Sequence, residues 1–364
     1  MNLKNIFKIV CSVALSISWS NTIAQEWSSP EIEQMYQQGA ASMSRGNASE
    51  AVAIFQKIVP LEPNNVLVKK SLAQAYQLSG NNTSAIEILE PLFANNTADA
   101  ESYRIAAQSY SSNGDEKKAQ KTLSEGISKN PSSGLLFYEQ GQLYKKQKNY
   151  ESALKCWLDG IEADPNFHLN YYEAAIAYVQ TDRVVWAIIY GEIFVNKEPN
   201  TQRGNDTRIL LLDAYQKLFF TPAKDANGEV LLAKNASNFE EAVKKNYLSL
   251  FFVVSDGITT ENLTMLRSRF AISWKDNYIA RYPFSLFSYQ EDLMKNGYFD
   301  VYNQWLFGKA ENPQQYGTWA DGFADDIASF EQMRAKNPLR MQAADNYNTS
   351  RNFKGLFADK NLKR

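Results

Sequence analysis

Few residues in this chain of 364 could carry covalent chemistry, and their types and spacing point away from a catalytic centre. There is one histidine, His168, and there are two cysteines, Cys11 and Cys156. A metal site or a nucleophile–base pair gathers several such groups, so this composition leaves few ways to build either. His168 reads as a surface residue opening a helix, not as a general base. Cys156, beside Trp157, reads as a buried thiol, because burial disfavours the reactive thiolate. The acidic pairs Glu291–Asp292 and Asp325–Asp326 are sequence neighbours. Neighbours on a helix point to different faces, so neither pair forms the facing carboxylates of a glycosidase. The chain also lacks a Gly-x-Ser-x-Gly elbow, a phosphate-cradling glycine loop and a Cys-x-x-Cys pair. These residues predict a protein with no catalytic residues, no metal and no cofactor.

The remaining signal is periodic. Gly39, Ala73, Ala107, Gly141 and Ala175 recur every 34 residues without insertion, and Ala51, Ala85, Ala119, Ala153 and Ala187 follow each of them by 12 residues. Aligning units from Ile32, Val66, Ala100, Gly134 and His168 puts these columns at positions 8 and 20. Position 11 then reads Ser42, Tyr76, Tyr110, Tyr144 and Tyr178, and position 32 reads Pro63, Thr97, Pro131, Pro165 and Pro199. Small residues at positions 8 and 20 let two antiparallel helices approach closely, where larger side chains would overpack. Gly46, Gly80 and Gly114 suit the left-handed residue that ends a first helix, and Asn47, Asn81, Asp115 and Asn149 are placed to cap the second. A fixed period of this length marks an array of stacked helical units.

These columns resemble the tetratricopeptide repeat. The resemblance implies an all-α solenoid of helix-turn-helix units, wound as a right-handed superhelix, over residues 32–200. The five units span about 32–65, 66–99, 100–133, 134–167 and 168–201. It also implies a groove lined by positions 2, 5, 9, 12 and 13 of the first helices, which holds a protein or peptide partner. Position 5 supplies Tyr36, Lys70, Arg104, Tyr138 and Tyr172, and position 9 supplies Gln74, Gln108 and Gln142 between Ala40 and Ile176. Amides suit a peptide backbone, and Lys70 with Arg104 would suit a carboxylate. The arrangement departs from the clamp by which some members of the family read chaperone tails. Lys70 is followed by Gln74, Ile105, Leu135 and Glu139 where that clamp needs asparagines and further cations.

The ends of the chain complete the expectation. Lys4 and Lys8, the apolar run 9–19 and Thr22-Ile23-Ala24 have the form of a signal peptide over residues 1–24, cleaved after Ala24. Val10 precedes Cys11 where a lipoprotein signal has a small residue. Removing that segment takes away two lysines and no acid, moving the formal charge from −2 to −4. So weak a charge implies no nucleic-acid partner, and no later segment of the mature chain is apolar enough to be transmembrane. The product would be periplasmic or secreted, with outer-membrane association open.

Residues 25–31 read as a linker and 202–336 as an irregular helical C-terminal domain. Its helices are expected at 206–220, 237–253, 260–281, 284–296, 298–308 and 322–336, with a loop at 221–229. Sixteen aromatic residues between Phe270 and Phe330 would form either its core or an exposed patch around Trp305 and Trp319. The stretch YFDVYNQWLFG at 298–308 resembles helical regions that follow tetratricopeptide arrays in exported proteins of Bacteroidota. Residues 337–364 are basic and read as a disordered tail. The function that follows is a protein-binding scaffold of the cell envelope. The alternative is a carbohydrate-binding module worked by the aromatic half.

Overall fold

Helices account for nearly all regular structure in the computed structural model, which describes residues 27–222, 236–351, 353, 356 and 357. The expected export signal, Cys11, nearly all of the expected loop at 221–229 and the last seven residues lie outside the described residues. Five helix pairs follow the sequence period: α1 (Pro30–Ser44) with α2 (Ala48–Ile58), α3 (Val66–Leu78) with α4 (Asn82–Ala94), α5 (Ala100–Ser112) with α6 (Glu116–Lys129), α7 (Gly134–Lys146) with α8 (Tyr150–Ala163), and α9 (His168–Val179) with α10 (Val184–Lys197). The chain divides into two compact units between Gly80 and Asn81. In the first, α2 packs on both α1 and α3; in the second, each helix from α4 to α11 packs on the next.

Local chemistry sets the helix ends. Gly46, Gly80 and Gly114 follow α1, α3 and α5 with φ of 81°, 82° and 82°, and after α7 the same left-handed place is taken by Lys148 at φ 60°. Side chains of Asn81, Asp115 and Asn149 accept the backbone N–H three residues on, satisfying an otherwise orphaned donor. Asn47 occupies the same position without that bond, and its amide donates to Glu50 instead.

The column of small residues answers to a second column 16 positions later. A Cβ built on Gly39 would lie 2.6 Å from the Phe55 ring, and one on Gly141 would lie 2.2 Å from the Trp157 indole nitrogen. Phe55 and Trp157 are both at position 24 of their repeats, whereas of the repeats with alanine at position 8 those of Ala73 and Ala107 carry the smaller Leu89 and Leu123 there and that of Ala175 carries Gly191. All four position-24 side chains are buried. Within the pairs Gly39–Phe55, Ala107–Leu123 and Gly141–Trp157, volume is therefore traded between the two columns, with glycine matched to an aromatic ring and alanine to leucine.

Beyond the repeats the chain continues as α11 (Gln202–Phe220), α12 (Asn238–Ser249), α13 (Thr260–Asn277), α14 (Ser285–Lys295), α15 (Phe299–Asn303), a π-helical turn at Gln304–Gly308, α16 (Lys309–Glu311), α17 (Pro313–Gly322) and α18 (Ala324–Lys336). The helix expected at 237–253 ends at Ser249 and resumes as one 3-10 turn, Phe251–Val253. Helix α17 was not expected, although Asn312 caps it and Pro313 fills its first position. One buried core runs from Ala153 in α8 to Phe353, across the boundary expected at residue 202.

The reason lies in α10, whose residues from Val184 to Val195 are all buried. A helix apolar on every face must be wrapped on every face. Two charged residues fix the wrapping. At the N-cap of α10, Arg183 pairs with Glu240 of α12 at 2.5 Å, and the Trp186 indole N–H donates to the same carboxylate at 2.8 Å. In mid-helix, Glu192 pairs with Arg267 of α13 and accepts from Gln290 of α14 and Tyr302 of α15, each at 2.7 Å. All four ionic groups are at most 4% exposed.

The basic tail departs from expectation. Residues 337–351 lie on the core instead of fraying: Leu339, Met341 and Phe353 are buried, and Asn348 bridges Arg183 to the hydroxyls of Tyr178 and Tyr190. Arg351 pairs with Asp159 at 2.7 Å and Glu162 at 2.9 Å, nearly two hundred positions earlier in the chain. A run of cations looks solvated when its acidic partners are that remote in sequence.

Five substitutions, in three sets, test these contacts by chemical denaturation. Gly141→Ala is expected to destabilise by about 1–3 kcal/mol through overpacking against Trp157, and Trp157→Leu to restore most of that loss in the double variant; additive losses would contradict the paired columns. Lys148→Gly should stabilise by about 1 kcal/mol by relieving a left-handed non-glycine residue. Arg267→Met leaves Glu192 buried without its cation and should cost about 3–5 kcal/mol, more than the double replacement Glu192→Leu with Arg267→Met.

Candidate groove residues on the first helices

The residues singled out by sequence fall on the first helix of each pair. In the first compact unit, Tyr36 on α1 is half-buried; its hydroxyl lies 3.0 Å from Ser71 Oγ, and its ring packs 4.9 Å from Trp27 and 5.5 Å from Phe55. Burial pushes that phenol above its ordinary pKa. Lys70 and Gln74 sit one turn apart on α3, both half-buried. Position 5 in this part of the chain thus mixes a packed ring with a cation.

In the second compact unit, α5, α7 and α9 pack side by side and carry polar side chains that hydrogen-bond from α5 to α7 and from α7 to α9. Arg104 does not present a free cation for a carboxylate, as the sequence suggested. Its Nε and Nη2 donate to the two oxygens of Glu101, one turn earlier, at 2.8 and 2.6 Å, and its Nη1 donates to Gln108 at 2.6 Å. This fork against a carboxylate is the geometry guanidinium favours. Gln108 in turn hydrogen-bonds Glu139 of α7. On the next pair of helices, Gln142 Nε2 and Lys145 Nζ each donate to Glu173 of α9 at 2.7 Å. Tyr138 lies between these carboxylates, and burial with the fields of Glu173 and Glu139 drives its phenol far up. Tyr172 packs 4.8 Å from Phe194.

The sequence pointed to the amides and tyrosines of this face and to Glu139 only as a departure from the chaperone-tail clamp, and Glu173 was missed. Glu139 and Glu173 are both at position 6, one period apart, so the period that revealed the glutamines could have revealed them too.

Trp305 and Trp319 are both partly buried against the core. Trp305 is closed between two guanidinium groups, Arg208 at 4.8 Å and Arg334 at 4.1 Å from its ring, an arrangement that favours cation–π attraction. Trp319 stands on α17, a helix with no buried residue, between Tyr316 and Phe323 at 5.6 and 5.3 Å. Most other rings of this half, among them Phe270, Trp274, Tyr302, Phe307 and Phe330, belong to the core.

The residues considered for chemistry are occupied structurally. His168 Nε2 lies 2.7 Å from Glu198, whose carboxylate also pairs with Arg203. Burial, with the nearby Asp159, pushes the Cys156 thiol up to about 12, so it is protonated at neutral pH. Glu291 is held by Lys275 and Lys295. No group of three or more histidine, cysteine, aspartate or glutamate side chains among the described residues could hold a metal ion. Among those residues, too, no helix is long and apolar enough to cross a membrane.

Solved structures similar to this chain include a thermophilic tetratricopeptide protein of Thermus thermophilus, at 16% identity and a TM-score of 0.42 over 50% of this chain and 98% of its own. Others are pilF of Pseudomonas aeruginosa (18% identity, TM-score 0.42, 51% and 84%) and YrrB, described as having an unusual peptide-binding site (13%, 0.33, 48% and 90%). No curated protein matches the chain. The family description "Tetratricopeptide repeat" matches residues 42–109 and again residues 136–167. These two stretches are thus matched as tetratricopeptide repeats, and the helices from Pro30 to Lys197 keep the same 34-residue register around them.

Proposed function

We propose that this protein is a non-catalytic scaffold that holds an extended segment of a partner protein against the first helices of its repeats. Tetratricopeptide repeats generally mediate protein–protein interaction. The observation that carries the reading here is the polar network on α5, α7 and α9. Its amides Gln108 and Gln142 are held in fixed geometry by Arg104 and by Glu173, which is itself buried, and the amides stay partly accessible, so a peptide backbone meets preorganised donors and acceptors. Residues 1–24 have the composition of a signal peptide, which supports export and a place in the periplasm or outside the cell, attached to an envelope or secreted assembly. The stretch at 298–308 supports an origin among exported proteins of Bacteroidota.

A second reading rests on α17. Tyr316, Trp319 and Phe323 keep part of their ring surface accessible beside the exposed Asp321, Asp325 and Asp326. Aromatic faces with adjacent carboxylates suit a carbohydrate, which would make the repeats a spacer.

One experiment separates the two. A photoreactive group at Gln108 of the mature protein, irradiated in envelope extract of the native host, is expected to give one dominant protein adduct. The adduct should fall at least tenfold in the variant combining Gln74→Ala, Gln108→Ala and Gln142→Ala, with the photoreactive group moved to Tyr172 in both proteins. An adduct unaffected by the triple change removes the groove from the mechanism. No protein adduct, together with retention on a glycan array that is lost in Trp319→Ala, would transfer the function to α17.

A further inference from the structure

Two carboxylates one period apart have different surroundings. Glu173 faces positions 9 and 12 of the preceding repeat, where Gln142 and Lys145 each donate to it at 2.7 Å. Thirty-four residues earlier its counterpart is Glu139, and the counterparts of Gln142 and Lys145 are Gln108 and Ser111. Gln108 supplies the same amide hydrogen bond. Ser111 carries no charge, and its hydroxyl is engaged by Glu116 at 3.1 Å and Lys146 at 2.9 Å.

The cation whose field reaches Glu139 is Arg104, at position 5, and that guanidinium forms its ion pair with Glu101. Burial outweighs Arg104 and Gln108, so the Glu139 carboxyl sits above its ordinary range. Among the described residues Glu139 therefore has an amide partner and no ion pair. A carboxylate half withdrawn from water without a counter-ion is destabilised, and a cation brought by a ligand removes that cost.

We propose that Glu139 receives a lysine or arginine side chain of the bound segment, so that the partner brings the cation that Lys145 provides one repeat later. The inference rests on the groove reading above and specifies it: the segment is read by a carboxylate, not by the cations Lys70 and Arg104. The internal control is the repeat itself, since Glu173 shows the same site with its cation already in place.

Random dodecapeptides displayed on phage and selected on the full chain supply the probe. Clones that bind equally well to the variant Gln108→Ala with Gln142→Ala are discarded as binding elsewhere. The remaining clones are expected to carry at least one lysine or arginine, and replacing it with norleucine in the synthetic peptide should weaken binding about tenfold or more, the range of a charge-assisted contact. In Glu139→Gln the lysine-to-norleucine ratio should fall to about one, and Ser111→Lys, which installs the missing internal cation, should lower it as well. Groove-dependent clones without a basic residue, or an unchanged ratio in Glu139→Gln, would overturn the cation site while leaving the groove intact. If no clone distinguishes the parent from the double-glutamine variant, the groove reading fails and this inference fails with it.

Discussion

Burial of charge on one helix organises the second compact unit. Helix α10 is the last helix of the repeats and is apolar around its whole circumference, so water cannot remain on any side of it. It nevertheless carries Glu192 and follows Arg183, neither of which can be buried alone. The solution is to bring Arg267 and Glu240 from α13 and α12, and to add hydrogen bonds with Gln290, Tyr302, Asn303 and Trp186. Much of the rest follows. The C-terminal helices are not a separate module hung from a solenoid; they are the surface against which its final repeat is buried. The tail joins the same network through Asn348.

Within the repeats the governing constraint is volume. Antiparallel helices at close approach leave a fixed space between positions 8 and 24, and the pairs Gly39–Phe55, Ala107–Leu123 and Gly141–Trp157 divide it in complementary ways. In the fifth pair position 24 is Gly191, and a Cβ there would lie 3.0 Å from Leu211 of α11. There the space is shared with the helix that follows the array, which marks where stacking of like repeats gives way to the wrapped core.

The face that α5, α7 and α9 present is governed by pairing. Its charged groups arrive as acid–base couples whose members satisfy each other: Glu101 with Arg104, Glu173 with Lys145. Such couples fix side-chain geometry but cancel in charge, and the proposed cation site is the position where the couple is incomplete, Glu139. Counting basic residues along the first helices does not reveal this, because the count registers Arg104 and not the glutamate that holds it.

The sequence alone determined the repeat: its period, its helix pairs, the left-handed glycines and the capping residues at the starts of second helices. These are local, set by backbone conformation and by contacts within about thirty positions, so each leaves a mark at a fixed interval. It also determined the burial of the Cys156 thiol, because an apolar neighbourhood is legible nearby. Tertiary structure decided what depends on distant partners. The ion pair of Glu192 with Arg267 spans 75 positions and that of Arg351 with Asp159 spans 192. No local pattern announces such a pairing, so a basic tail looked solvated. Ring burial behaves the same way. Sixteen aromatic residues between Phe270 and Phe330 signal apolar surface to be covered, but which of them line the core, as Trp274 does, and which remain accessible, as Trp319 does, is settled only when the helices wrap α10.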